Sequence, residues 1–428
     1  MFERLCETAA IDAHGRVARR GFLRTASAGA AGLAGLSFRD RLLAEAPALR
    51  KQGKSIIVLW MQGGPSQFET WDPKEDSIVA GGTTSIPTAA AGVRIASNWT
   101  SVAKQMKDIA LIRTLTNKEG NHPRATYQLH TGYAPSGSLK HPAFGSLVAS
   151  ELSPKDFDLP AFVSVLGPSE SSGFLPVQWA PFRVGDPARM PVNAEAPVAT
   201  DRFDRRMKLL ADLESPYARA GAAKQVEDHQ GLYQQAARMV KSPRLPAFDI
   251  AREPEKIRER YGASPFGAGC LLARRLVETG VTCVEVSLGN WDTHDDNHNR
   301  VKGLADQCDP AFAALVADLK ERGRLQDTLV VWMGEFGRTP RINPRGGRDH
   351  YPRAFSAAVA GGGIKGGQVI GKTSANGADV ADRPVQVVDL LHTFAKALGV
   401  NPAKENQSPV GRPLKIVDGG KPIAELFT

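Results

Sequence analysis

Six apolar residues in a row, Ile56 to Met61, leave no polar face on the segment SIIVLWM at positions 55–61. Side chains of a strand point alternately to opposite faces, so a strand of this kind must be covered on both sides. Gly63-Gly64-Pro65 ends the run and marks a loop. Further β-rich runs occupy 108–115, 160–166, 281–288, 328–333 and 355–360. Amphipathic helical patterns cover 265–279 and 301–322, the second stopping at Gly323. A third helix is expected over 384–398, with Pro384 in its first turn and Gly399 as its stop. Strands alternating with helices define an α/β fold: three layers, α/β/α, around a mostly parallel central sheet. Residues 77–97 and 167–200 read as excursions over the surface, and the charged stretch 201–262 as a helical insertion or cap on the domain spanning 47–428.

The first 46 residues have a separate logic. Arg19-Arg20-Gly21-Phe22-Leu23-Arg24 matches a twin-arginine export pattern. A weakly apolar run over 25–36 and a small-x-small site at Ala44-Glu45-Ala46 follow it. The expectation is a signal peptide over 1–46, export through the twin-arginine machinery in a folded state, and a periplasmic or extracellular location. Folded export lets a metal be acquired before transport, because metal binding and folding are coupled. No run of about 18 apolar residues predicts a stable membrane span. The formal charge of +9 is scattered along the chain. That suits anionic substrates and, without a basic stripe or recognition motif, argues against nucleic acid. Of the four cysteines, Cys6 would leave with the signal; buried free thiols are expected at Cys270, Cys283 and Cys308.

In an open parallel sheet, sites form beyond the carboxyl ends of the strands. The chemistry-bearing residues collect there. Gln62 to Asp72 follow the first run, Asn117 to His122 the second, Gly289 to His298 the run 281–288, and Gly334 to Pro340 the run 328–333. Gly347-Arg348-Asp349-His350 form a further loop. Carboxylates and imidazoles on several strand ends suit a divalent ion: zinc, manganese or iron with nitrogen and oxygen ligands, calcium or magnesium where oxygen dominates. Asp292 and His294, two apart on an irregular loop, can face one ion. Any single acid can instead be structural, and Asp296 is placed to cap the helix beginning near Arg300. Arg338 and Arg348 have two readings, an anion clamp for phosphate or sulfate and a pairing with the acids that holds the loops. His122 is read either as a general base or leaving-group acid, or as a loop histidine bonded to backbone.

The ordered motifs GGPSQFETWDPK, GNWDTHDDN, DTLVVWMGEFGRTP, GRDHYP and AGGGIKGGQVIG resemble a bacterial domain-of-unknown-function family, numbered fifteen hundred and one, placed in the alkaline phosphatase and sulfatase superfamily. The resemblance covers the mature chain and implies an alkaline-phosphatase-like domain with a metal centre at the strand ends. It implies Asp292, His294, Glu335 and His350 as ligands, with Glu69 standing in for a first-strand acid. Where the superfamily carries its nucleophile, before a helix ending in Thr131-Gly132, this chain has Asn121-His122-Pro123-Arg124. Ser66 and Thr116 are the hydroxyl stand-ins. The implied activity is an exported metal-dependent hydrolase of phosphate or sulfate esters, with small-molecule or polysaccharide substrates. The alternative is a non-catalytic metal-binding or structural protein on the same scaffold.

Overall fold

The structure is a computed structural model and describes residues 53–428, apart from residues 155 and 195–197 and the side chain of residue 200. The expected export signal therefore lies outside the described residues. Nine strands form the main sheet. They are β1 (Ser55–Met61), β2 (Ile109–Thr116), β3 (Phe162–Val165), β4 (Phe182–Val184), β5 (Cys283–Leu288), β6 (Thr328–Met333), β7 (Phe355–Ala360), β8 (Val369–Ile370) and β9 (Val385–Gln386). Their spatial order is β8-β2-β7-β6-β1-β5-β3-β4, with β9 also on β2. β1 is central and parallel to both neighbours, Leu59 lying beside Val286 on one side and Trp332 on the other.

The apolar run of β1 serves two cores at once. Ile57, Leu59 and Met61 face one cluster, with α1 (Thr100–Gln105) and the later helices α7 (Pro265–Glu278) and α8 (Asn297–Glu321). Ile56, Val58 and Trp60 face the other, with α2 (His122–Thr131), α3 (Phe144–Leu152) and α9 (Val387–Leu398). Each such side chain contributes roughly 1.5–3 kcal/mol when fully buried. The result is the three-layer α/β fold with a mostly parallel sheet that the run demanded.

Only β7 runs against the rest, antiparallel to β2 and β6, with Phe355 opposite Leu115. That reversal brings the amino end of β7, and the loop before it, to the edge where the other strands end. The region 201–262 is helical, with α4 (Thr200–Tyr217), α5 (Ala223–Val240) and α6 (Glu255–Arg260).

Four expectations need correction. The helix expected from Pro384 begins at Val387, because Val385 and Gln386 first pair with Leu115 and Thr116 of β2. The stretch 77–97 is not only a surface excursion. It holds a ladder of Ser85–Pro87 with Arg94–Ala96 and buries Val93, Ile95 and Ala96. The stretch 167–200 contains the edge strand β4, three residues long and too short to show a period. Asp296 precedes α8 with a left-handed backbone, but its side chain makes no cap bond and accepts from Asn299 instead. Cys270, Cys283 and Cys308 are buried and free, as expected. Among the described residues, no helix is long and apolar enough to cross a membrane.

Candidate metal centre at the strand ends

Four segments converge beyond the ends of β1, β2, β5 and β6. His122 opens α2, where Asn121 accepts from the Arg124 amide and Pro123 suits the first turn. Asp292 and His294 follow β5, and Glu335 follows β6. His350 arrives on the loop that leads into the reversed strand β7, paired with Arg338 in a two-residue ladder.

One carboxylate oxygen is the hub. Asp292 Oδ1 lies 3.4 Å from His122 Nε2, 3.1 Å from His294 Nε2, 3.3 Å from His350 Nε2 and 2.7 Å from Arg338 Nη2. His294 Nε2 and His350 Nε2 are 3.0 Å apart. Donors 2.0–2.2 Å from a tetrahedral ion are themselves roughly 3.3–3.6 Å apart. His122, Asp292 and His350 offer ligand atoms that all lie within 4.8 Å of one another, and His294 touches two of the three.

Each imidazole is held by its other nitrogen. His122 Nδ1 meets Glu335 Oε1 at 2.7 Å, His294 Nδ1 meets Asp349 Oδ1 at 2.9 Å, and His350 Nδ1 meets the Gly120 carbonyl at 2.8 Å. This is the outer arrangement that orients metal-binding histidines. Burial opposes the protonated form of His122, but the bond and charge of Glu335 outweigh it and raise the ring above the ordinary histidine range. Burial would raise Asp292, yet the hydrogen bond and charge of Arg338 bring its carboxyl down to about 2. Burial, with the nearby His122 and Arg338 charges, pushes His350 downward.

The backbone around this cluster leaves no slack. Gly63 has φ 116°, and a Cβ there would stand 2.4 Å from the Asp292 amide nitrogen. Its own amide donates to Glu335 Oε1 at 2.9 Å. A Cβ on Gly347 would meet the His294 carbonyl at 2.0 Å. Substituting Gly63→Ala is expected to cost more than ~2 kcal/mol and to displace the Asp292 loop. Urea unfolding beside wild type checks this, and an unchanged midpoint would contradict it.

The cluster gathers His122, Asp292, His294 and His350, with Glu335 behind His122. Glu335 is buried; its Oε1 anchors His122 and the Gly63 amide, while its Oε2 has no hydrogen-bond partner. Glu69 is elsewhere: its Oε1 takes the Arg348 guanidinium at 2.7 Å and 3.1 Å. Ser66 is fully buried, which leaves its hydroxyl no route to a substrate. Thr116 Oγ1 points to the Val385 carbonyl at 3.4 Å. Arg338 and Arg348 are both fully buried and bonded to protein acceptors, an arrangement that favours the loop-holding reading. Sequence reasoning missed Asp349 and the Gly120 carbonyl as histidine anchors. It also missed Asn343, whose amide nitrogen donates to the His294 carbonyl at 2.9 Å. Asp349 stood beside His350 in the motif, so its type and position were the available clue; a backbone carbonyl leaves none.

Fold and cluster together define an α/β protein with a histidine–aspartate group able to hold an ion at the ends of its strands. The chain belongs to the family described as "Protein of unknown function (DUF1501)", whose model matches residues 53–427. No curated protein matches it. Among solved structures, it is similar to Ps i-CgsB in complex with k-i-k-neocarrahexaose, at 12% identity over 81% of this chain and 72% of that chain, with a TM-score of 0.41. The lipoteichoic acid synthase LtaP from Listeria monocytogenes is 10% identical over 82% of this chain and 72% of that one, TM-score 0.39. The PsFucS1 sulfatase from Pseudoalteromonas sp. is 15% identical over 84% and 71%, TM-score 0.37.

Proposed function

We propose that this chain is an exported, metal-dependent hydrolase of anionic esters, of the phosphate or sulfate class, working outside the cytoplasm after twin-arginine export. One observation carries the reading: three imidazole Nε2 atoms surround one Asp292 oxygen at ligand-to-ligand spacing. The fit is supported by an orphan, since His122 Nε2 is buried without a hydrogen-bond partner. His122, Asp292 and His350 would hold the ion, with His294 as a fourth donor on the solvent side. Imidazole with one carboxylate suits zinc, manganese or iron better than calcium.

A bound divalent ion would supply Lewis acidity to an ester oxygen and lower the pKa of water. In the neutral rings Glu335, Asp349 and the Gly120 carbonyl accept from Nδ1, which leaves Nε2 as the nitrogen offered to an ion. Asp292 stays an anion throughout the physiological range, because Arg338 neutralises it from behind. The half-exposed faces of the three histidines and Asp292 leave the cluster open to a ligand. His122 occupies the place where the superfamily resemblance implies a nucleophile, and Ser66 is sealed away. The residues around the cluster therefore favour direct attack by water over a covalent phospho- or sulfo-enzyme. The same placement of His122 favours, as the second reading, a metal-binding protein without catalysis.

Elemental analysis of the purified chain tests the proposal. About one transition-metal ion per chain is expected, and none in an Asp292→Ala, His350→Ala double variant. Equal, metal-free preparations of both would sink the reading. Phosphate and sulfate ester screening on the loaded protein then separates the hydrolase from the non-catalytic alternative.

A further inference from the structure

Arg338 is fully buried, and its guanidinium is divided among three loops. Nε donates to the Gly64 carbonyl at 2.8 Å, and Nη1 to the Arg348 carbonyl at 3.1 Å. Nη2 donates to the Gly63 carbonyl and to Asp292 Oδ1, the latter at 2.7 Å. Four of its five N–H donors are bonded within the protein and the side chain is sealed from solvent, so the guanidinium does not face a substrate anion. Its backbone is held as firmly. The Gln67 side chain accepts from the Arg338 amide and donates to the Arg338 carbonyl, both at 2.9 Å.

Arg348 continues the brace. Its amide donates to the Thr293 carbonyl at 3.0 Å, one residue from both Asp292 and His294. Its guanidinium reaches Glu69, the Thr339 and Pro340 carbonyls and the Val79 carbonyl. The two arginines thus join the loops after β1, β5 and β6 to the segment carrying Asp349 and His350.

We infer that Arg338 is the positioning residue of this centre: its planar fork, locked to the Gly63 and Gly64 carbonyls and to Arg348, sets the Asp292 oxygen at the focus of the three histidines. The inference rests on the metal-centre reading above. An arginine is needed because four acceptors on three loops are served at once; a lysine has three donors on one compact charge at the end of a flexible stem. Removing the fork leaves Asp292 on an irregular loop, where Asn290 and Asp296 both have positive φ.

The test is Co(II) affinity by competition with a chromophoric chelator, with the visible spectrum of the bound ion as a second readout. Arg338→Met is expected to weaken Co(II) binding by about 10–100-fold and to alter the spectrum, as loss of an outer-shell partner does. Arg338→Lys should recover only part of it. In an Asp292→Asn background, Arg338→Met should add almost nothing, because the two act through one contact. A merely structural arginine would lower the melting temperature of the metal-free chain and leave Co(II) affinity and spectrum unchanged; that result overturns the inference. An anion clamp would instead weaken inorganic phosphate binding to the Co(II)-saturated chain with Co(II) affinity intact, which also overturns it. Should Arg338→Met not fold, Gln67→Ala frees the arginine backbone while keeping the guanidinium. A few-fold loss of Co(II) affinity is then expected, and no loss overturns the inference. A wild-type chain that binds no Co(II) refutes the metal-centre reading itself, a separate outcome.

Discussion

Replacing Glu69 by alanine is expected to destabilise the protein by about 3–5 kcal/mol, because it leaves the Arg348 cation buried without its counter-charge. Both partners are sealed from solvent, Arg348 at 0% and Glu69 at 1% exposure. Two of the guanidinium nitrogens reach Glu69 Oε1, and the aromatic ring of Phe68 lies 4.5 Å below the guanidinium. The carbonyls of Thr339, Pro340 and Val79 would remain as acceptors, but carbonyls do not neutralise a charge. The cation would then draw in water or reorganise the loop, and Arg348 and Thr293 would move with it. Urea unfolding measures the first effect, and metal content measures the second. Glu69→Ala should lose both stability and bound ion, whereas Glu69→Gln, which keeps an acceptor of the same shape, should lose less of each. A Glu69→Ala chain as stable as wild type would show that the pair contributes nothing net.

The second large effect is a pH dependence from a pair away from the centre. His130, near the end of α2, is buried with its Nε2 3.0 Å from Glu285 Oε2 on β5 and its Nδ1 bonded to the Thr126 carbonyl. Burial alone would lower its pKa, but the charge and hydrogen bond of Glu285 prevail and push it up to about 9. In the unfolded chain histidine titrates near 6.5. Below pH ~6.5 both states hold the proton, so the pair's stabilisation is fully present. As pH rises from there towards 9, the unfolded chain releases its proton while the folded chain retains it, and the stabilisation is lost. A shift of about 2.5 units corresponds to about 3 kcal/mol. Urea unfolding at pH 6, 7.5 and 9, with chelator present, should show stability falling across that window. His130→Gln should flatten the slope; a wild-type chain equally stable at pH 6 and 9 would refute a charged His130. Because α2 also carries His122 at its other end, the pair fixes the helix that delivers one donor to the centre.

The sequence was most informative where burial was complete. β1, β6 and β7 have the bounds their apolar runs implied, because a strand with no polar face has only one place to be. The loops after β1, β2, β5 and β6 could be nominated because open parallel sheets concentrate polar chemistry at their carboxyl ends. Asp292 and His294 were paired from their spacing and His350 was implied by the family resemblance; the structure brings their side chains together. The roles of the arginines were not legible, because a guanidinium near acids reads equally as clamp or brace until its acceptors are known.

What the sequence by itself determined was a two-faced apolar sheet and a set of strand-end loops rich in histidine and carboxylate. That information is local: it lies in short runs whose period and residue type dictate burial. The tertiary structure alone decided which of those side chains meet. It reversed β7, so that His350 enters from the loop before that strand. It placed His122 Nε2 beside Asp292 across 170 residues of chain, and it drew Glu69 away to Arg348. Such meetings depend on strand order and on the orientation of loops fixed by long-range hydrogen bonds, which no local pattern encodes.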